Sequence, residues 1–166
     1  MIGLKRGDVS LYDHENEWDT EGERTGNELF EILGGDARDI QHIGSTSIKS
    51  IKAKPIIDIA VAADSFERIL SHENELLQSG YHYRPDKTTD GEQLLFAKGS
   101  YYEGGDMQTH FIHIVKYNSM QWRNYINFRD FLNAFPEKAK QYESVKTGLV
   151  EKLASVGSRN GYGEGK

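Results

Sequence analysis

Two stretches of this chain carry residue types that could do chemistry together. The first is HIGSTS, His42 to Ser47. Gly44 permits a tight turn there, and Ser45, Thr46 and Ser47 follow with backbone N–H groups close by. A turn of this kind at a helix start can hold phosphate oxygens, because its N–H groups converge and the local dipole favours negative charge. A plain Gly-Ser turn is the competing reading. The second is Asp58, which stands between Ile57 and Ile59 in Pro55 to Ala62, PIIDIAVA. That segment is otherwise apolar, as expected of a strand covered on both faces. A carboxylate in such a place needs a metal, an Arg or several N–H groups, because uncompensated burial of charge is costly. Asp58 is then a metal ligand, a general base, or a structural acid capping nearby backbone.

Further candidates lie toward the C-terminus. The helix expected from Ser119 aligns Trp122, Tyr125, Ile126 and Leu132 on one face, and Arg129 falls on that face. The next helix groups Tyr142, Val145, Leu149 and Leu153, with Lys146 among them. Cations on such stripes snorkel at the margin, pair with acids such as Asp130 or Glu143, or line a cleft and grip phosphate. Lys54, just before the Asp58 strand, is a third candidate cation. His113, between Ile112 and Ile114, is either a hydrogen-bonded residue of a half-buried strand or a metal ligand. His42 reads as a structural hydrogen-bonding residue, and Trp122 and the tyrosines read as core rather than as a base-stacking platform.

Gly44-Ser45, a spacer, and Asp58 in an apolar strand are similar to the signature of the DNA polymerase β-like nucleotidyltransferase superfamily. More narrowly, HIGSTSI followed by AKPIIDIAV resembles the GrpB family, and FRDFLNAFP (Phe128 to Pro136), Tyr142 and Lys146 extend the likeness from Val9 onward. The resemblance implies an α+β fold: a nucleotidyltransferase-like mixed β-sheet with flanking helices and a C-terminal helical hairpin. It implies carboxylates that hold a divalent metal, Mg²⁺ or Mn²⁺, which bridges a triphosphate and activates an attacking hydroxyl. Carried over, Asp58 is the catalytic acid and first metal ligand, with His113 at the place of a further ligand. Gly44, Ser45, Thr46 and Ser47 hold phosphate, aided by Lys54, Arg129 and Lys146. The implied partner is a nucleoside triphosphate or another phosphorylated small molecule, and the acceptor is a small-molecule or protein hydroxyl.

The match departs from the superfamily in ways that bear on activity. Strand alternation puts positions 58 and 60 on one face, so a second acid at 60 could share a metal with Asp58; this chain has Ala60. A His at position 113 suits Mn²⁺ or Zn²⁺ better than Mg²⁺, which prefers oxygen ligands. Asp64, Asp90, Glu92, Glu103 and Asp106 are available, but nothing in the sequence places them beside Asp58. Lys49-Ser50 stands where GrpB-like sequences tend to have Pro-Gly. Two functions follow: metal-dependent nucleotidyl transfer, or a catalytically reduced accessory module of the same fold that binds a nucleotide or other anion. A serine-hydrolase reading of Ser45 lacks the second glycine of a nucleophile elbow and a placed Asp-His pair.

These residues need a scaffold, and the pattern supplies one. Trp18, Leu29, Ile32 and Leu33 mark a weakly amphipathic helix ended by Gly34-Gly35. Strands are expected at Val9 to Tyr12, Ile40 to Ile43, Pro55 to Ala62, Tyr81 to Tyr83, Gln93 to Ala97 and Thr109 to Lys116. Helices are expected from Ser65 to Ser79, from Ser119 to Phe135, and from Pro136 to about Ala154. The 166 residues predict one domain, 1–166, and the Gly-rich tail from Gly157 to Lys166 has too little apolar content to pack. With 37% hydrophobic and 28% charged residues, the chain reads as a soluble globular protein, cytoplasmic by default. The absence of cysteine removes disulfides and thiolate chemistry. A net charge of −6 argues against duplex nucleic acid as a partner, and no apolar run predicts a membrane span.

Overall fold

The apolar block after Pro55 forms an interior strand of the sheet, with most of its side chains buried on both faces. The computed structural model describes residues 1–88 and 91–156; Asp90 and the tail expectation for Gly157 to Lys166 fall outside them. In chain order the elements are β1 (Leu4–Lys5), α1 (Asn16–Leu33), β2 (Ala37–Ile43), β3 (Ile57–Ala63), α2 (Phe66–Leu70), α3 (Glu73–Gln78), β4 (His82–Tyr83), β5 (Gln93–Lys98), β6 (Met107–Gln108), β7 (His110–Lys116), α4 (Met120–Ala134) and α5 (Pro136–Val156). Five strands form a mixed sheet in the order β2-β3-β7-β5-β4, and β1 pairs with β6 in a separate ribbon. Among the described residues, only the β3–β7 pair of this sheet is parallel. The α+β fold expected from the sequence is the fold observed.

Strand alternation sorts the core into two layers. Ile57, Ile59, Val61 and Ala63 join Ile112, Ile114, Leu94 and Phe96 beneath Trp18, Leu29 and Leu33 of α1, with Ile69 and Leu76 of α2 and α3. The opposite face presents Ala60, Ala62 and Val115, which pack with Ile43 and Trp122 of α4. α4 lies across β2, β3 and β7. α5 completes a helical hairpin and closes with α4 over the segment after β2, where Ile48, Ile51, Leu132 and Ala139 form a third cluster.

Several local expectations are corrected. The first strand is Leu4–Lys5; Val9 to Tyr12 contributes only the single bridge from Tyr12 to Ala53. The Ser65 helix starts as expected, with the Ser65 hydroxyl accepting from the Arg68 N–H, but it splits into α2 and α3. At the break the Ser71 hydroxyl donates to the Arg68 carbonyl at 2.5 Å, and His72 is held by Asp36 at 2.8 Å. Such local side-chain bonds compete with the helical ladder. β3 begins two residues after Pro55, where the Ile56 N–H turns back to the Lys54 carbonyl at 2.8 Å. Among the described residues, no helix is long and apolar enough to cross a membrane.

His42 of β2 anchors this arrangement. Its Nε2 lies 2.9 Å from the Thr46 hydroxyl, and α1 comes so near that a Cβ at Gly22 would meet His42 Nδ1 at 2.5 Å. Burial lowers the imidazole pKa to about 4. The unfolded chain therefore takes up this proton below its ordinary value, while the folded chain refuses it until about pH 4. Stability is lost as pH falls through that window, by up to about 1.4 kcal/mol per pH unit from this group alone. His42→Gln is expected to flatten that share of the pH dependence, as measured by urea unfolding between the two values. Ser119→Ala, which removes the hydroxyl that accepts from the Trp122 N–H, is expected to cost about 1 kcal/mol with an unchanged denaturant slope.

Candidate functional site

The site begins where β2 ends. Ile43 pairs with Asp58 across the antiparallel ladder, so the next residue, Gly44, turns directly over that carboxylate. Gly44 has φ +72°, and a Cβ there would lie 2.7 Å from Asp58 Oδ2. Both facts demand glycine: the conformation is unfavourable for other residues, and the acid has taken the space a side chain needs. Ser45 to Ser47 then form one short 3-10 turn, closed by the Ser47 hydroxyl on the Gly44 carbonyl at 2.5 Å. The Thr46 hydroxyl is engaged by His42, whereas the buried Ser45 Oγ has no hydrogen-bond partner.

The parallel ladder sets Ala60 beside His113 and Asp58 beside Phe111, all on the face that carries α4. His113 Nε2 lies 3.0 Å from Asp58 Oδ1, while its Nδ1 is buried without a hydrogen-bond partner. Asp58 and His113, read from the sequence as ligands of one metal, are direct hydrogen-bond partners. The Tyr125 ring lies tilted beside His113 at 5.5 Å, and burial, with a smaller contribution from Asp58, pushes its hydroxyl up to about 12. Among the described residues, no group of three or more His, Asp or Glu side chains converges to hold a metal. Position 60, where a second carboxylate belongs, is fully buried alanine. One carboxylate and one imidazole do not fit a two-metal centre, which needs carboxylate oxygens from more than one residue.

Two adjoining cavities share Ser45 and Asp58. The smaller, about 130 Å³, is lined by Ser45, Thr46, Lys54, Asp58, Phe111 and Lys146. The larger, about 350 Å³, runs from Gly44, Asp58 and His113 to Asn124, Tyr125, Phe128 and Tyr142. Phe128 and Tyr142 meet edge to face at 5.1 Å, which joins α4 to α5 along that wall. These aromatic residues do not simply fill the core: they border the acid. The only sequence signal for this was their closeness to Arg129 and Lys146 on the two helical stripes.

The cations divide. Lys146 is 1% exposed, whereas Val145, expected in the stripe, is 55% exposed. Helix α5 is therefore rotated so that the lysine enters the interior, where Nζ donates to the Lys52 carbonyl at 3.3 Å. The same loop is stitched at three other points: Lys52 N–H to Glu143, Lys49 N–H to Asn133, and Asn133 to the Ser47 carbonyl. Lys54 joins Lys146 at the small cavity. Arg129 is placed elsewhere. Its guanidinium donates to Gln41 at 2.8 Å, to the His42 carbonyl at 3.1 Å and to Asp130 at 2.9 Å, and so braces β2 against α4. It lines neither cavity.

Comparison with known proteins matches this geometry to a family. The family described as GrpB protein matches residues 8–166. The glutamate-rich protein GrpB of Alkalihalophilus pseudofirmus is 40% identical over 153 residues, covering 92% of this chain and 87% of that protein. The crystal structure of the conserved protein GrpB from Enterococcus faecalis superposes with a TM-score of 0.78 at 27% identity, covering 87% of this chain and 85% of that one. The Cid1 poly(U) polymerase, with Mg 3′-dATP bound, superposes with a TM-score of 0.56 at 17% identity over 87% of this chain and 43% of its own, a likeness of fold alone. The chain belongs to the GrpB family, built on a nucleotidyltransferase-like fold.

Proposed function

We propose that this protein binds a nucleoside triphosphate or another phosphorylated small molecule across the Asp58 cleft, as a catalytically reduced nucleotidyltransferase-fold module. The phosphate enters the small cavity, where Ser45 and Thr46 supply the turn and Lys54 and Lys146 supply positive charge. The organic part lies along Tyr125, Phe128 and Tyr142, with Asn124 able both to donate and to accept.

One observation carries the reading. The buried Ser45 Oγ lacks a hydrogen-bond partner among the described residues, and Ser45 lines a cavity that Lys54 and Lys146 also line. Buried polar atoms are almost always hydrogen-bonded, so a hydroxyl in this position beside two lysines supports a polar or anionic ligand there. The cavity of about 130 Å³ lies below the range of small-molecule sites, which suits it to one group of a ligand such as a phosphoryl. The adjoining cavity, at about 350 Å³, falls in the range of small-molecule sites.

Nucleotidyl transfer to a small-molecule or protein hydroxyl is the second reading. The standing of Asp58 at the wall shared by both cavities favours it, and Ala60 weighs against it. Calorimetric titration with ATP, UTP and the matching nucleosides, with and without Mg²⁺ or Mn²⁺, separates the possibilities. The expected result is binding that requires the phosphates, with no pyrophosphate released under either ion. Pyrophosphate release that disappears in Asp58→Ala would move the conclusion to transfer, and failure of every phosphorylated compound to bind would overturn both readings. Lys146→Met keeps the buried volume and removes the charge, so it is expected to weaken phosphate binding by about tenfold or more while the protein stays folded. Circular dichroism alongside the titration checks the second half of that statement.

A further inference from the structure

A third cavity opens on the far side of the Asp58–His113 pair. α4 covers β2, β3 and β7, but the same sheet face continues to β5, where Leu95 pairs with His113. The Arg84 N–H extends the ladder by donating to the Leu95 carbonyl at 2.8 Å. The result is a cavity of about 260 Å³ whose floor is Leu95 and Phe111, whose wall is Tyr102, and whose rim carries Arg6, Arg84 and Lys87. Among the described residues, no carboxylate lines it. His113 borders both this cavity and the aromatic cleft, and Phe111 borders both this cavity and the phosphate cavity.

Two of the rim cations, Arg84 and Arg6, are held by neighbouring side chains. Arg84 is fixed by Asp86, with Nε to Oδ1 at 3.1 Å and an NH2 contact to Oδ2 at 2.8 Å, and its guanidinium lies 5.1 Å from the centre of the Tyr102 ring. Arg6 sits 4.7 Å over Tyr101. Asp86 offsets one of the three positive charges, and the remainder faces an apolar floor. In a chain of net charge −6 such a local excess is not a by-product of composition. An apolar floor rewards the burial of hydrocarbon or aromatic surface, while a pre-positioned guanidinium fork rewards a planar or tetrahedral oxyanion.

We propose that this cavity is a second ligand subsite, for a small molecule with an apolar body and an anionic end, a carboxylate or a phosphate. Its position beside a nucleotide rests on the reading of the Ser45 cavity given above, whereas its occupancy does not. The two ligands would share His113 and Phe111 as a common boundary.

The test is an NMR titration of the ¹⁵N-labelled protein with phenyl phosphate, 3-phenylpropionate and the uncharged 3-phenylpropanamide. The expected result is movement of the Leu95, Phe111 and Tyr102 amide signals by one or both anions, with the amide compound binding at least about tenfold more weakly. Tighter binding of phenyl phosphate assigns a phosphorylated ligand, and tighter binding of phenylpropionate assigns a carboxylate. Arg84→Gln combined with Lys87→Gln is expected to weaken the anions by about tenfold or more, with the affinity for ATP unchanged. Leu95→Phe, which fills the floor without adding polarity, gives the same loss through a different change. Unmoved amides, equal binding of the uncharged compound, or unchanged affinity in these variants would overturn the proposal. Lys54→Gln with Lys146→Met separates it from the phosphate site: aryl anions still bind there, and absence of ATP binding in the parent protein counts against the nucleotide reading alone.

Discussion

The approach of the Gly44 backbone to the Asp58 carboxylate sets the geometry on which the rest of the site depends. A Cβ at position 44 would fall 2.7 Å from Asp58 Oδ2, so the chain passes directly over the acid and no side chain stands between them. That approach fixes where the Ser45 turn begins. The turn fixes the loop that follows, and the loop is what the helical hairpin grips through Asn133, Glu143 and Lys146. The cations therefore reach the cavity by way of the backbone they hold. Only after the hairpin closes over this loop do Tyr125, Phe128 and Tyr142 form a wall beside Asp58.

Electrostatics and packing pull in different directions at Lys146. An ammonium group at 1% exposure is expensive to desolvate, and the Lys52 carbonyl and the Tyr142 ring are among the groups that compensate it. An apolar residue of similar shape would serve the packing as well. What packing alone does not explain is a cation aimed at a cavity with an orphaned serine hydroxyl. The same tension appears at the third cavity, where arginines gather around an apolar floor in an acidic protein. In both places the positive charge is local, bounded and already positioned, as sites for small anions require and as a surface for a nucleic-acid duplex does not.

Much of this was legible in the residues. Gly44-Ser45 and Asp58 marked the turn and the strand, and Ala60 marked the missing acid. Ile112-His113-Ile114 read as part of a strand neighbouring that of Asp58, and His113 does lie in the strand that pairs with it. The rest depended on rotations and contacts that periodicity does not encode. A stripe of Tyr142, Val145 and Leu149 cannot say which edge of the helix is buried, and the structure chose Lys146 over Val145 because the loop carbonyl at Lys52 offered a partner. Arg129 shared a face with Trp122, yet Gln41 and the His42 carbonyl, far away in sequence, claimed its donors. The third cavity draws Arg6, Arg84 and Phe111 from three separate strand regions, and no local pattern joins them.

The one parallel pair in the sheet also governs how the molecule comes into being. Asp58 and His113 meet across 55 positions of chain, and the central ladder that unites them cannot zip from a hairpin turn. β5 and the helices between must find their places while that loop is being closed, so the contact order of the centre is high and its closure is slow. α1 and β2 leave the ribosome early with nothing to pair the inner edge of β2 until β3 follows, and β3 then waits for β7. The Asp58–His113 contact therefore closes one of the long loops of the fold.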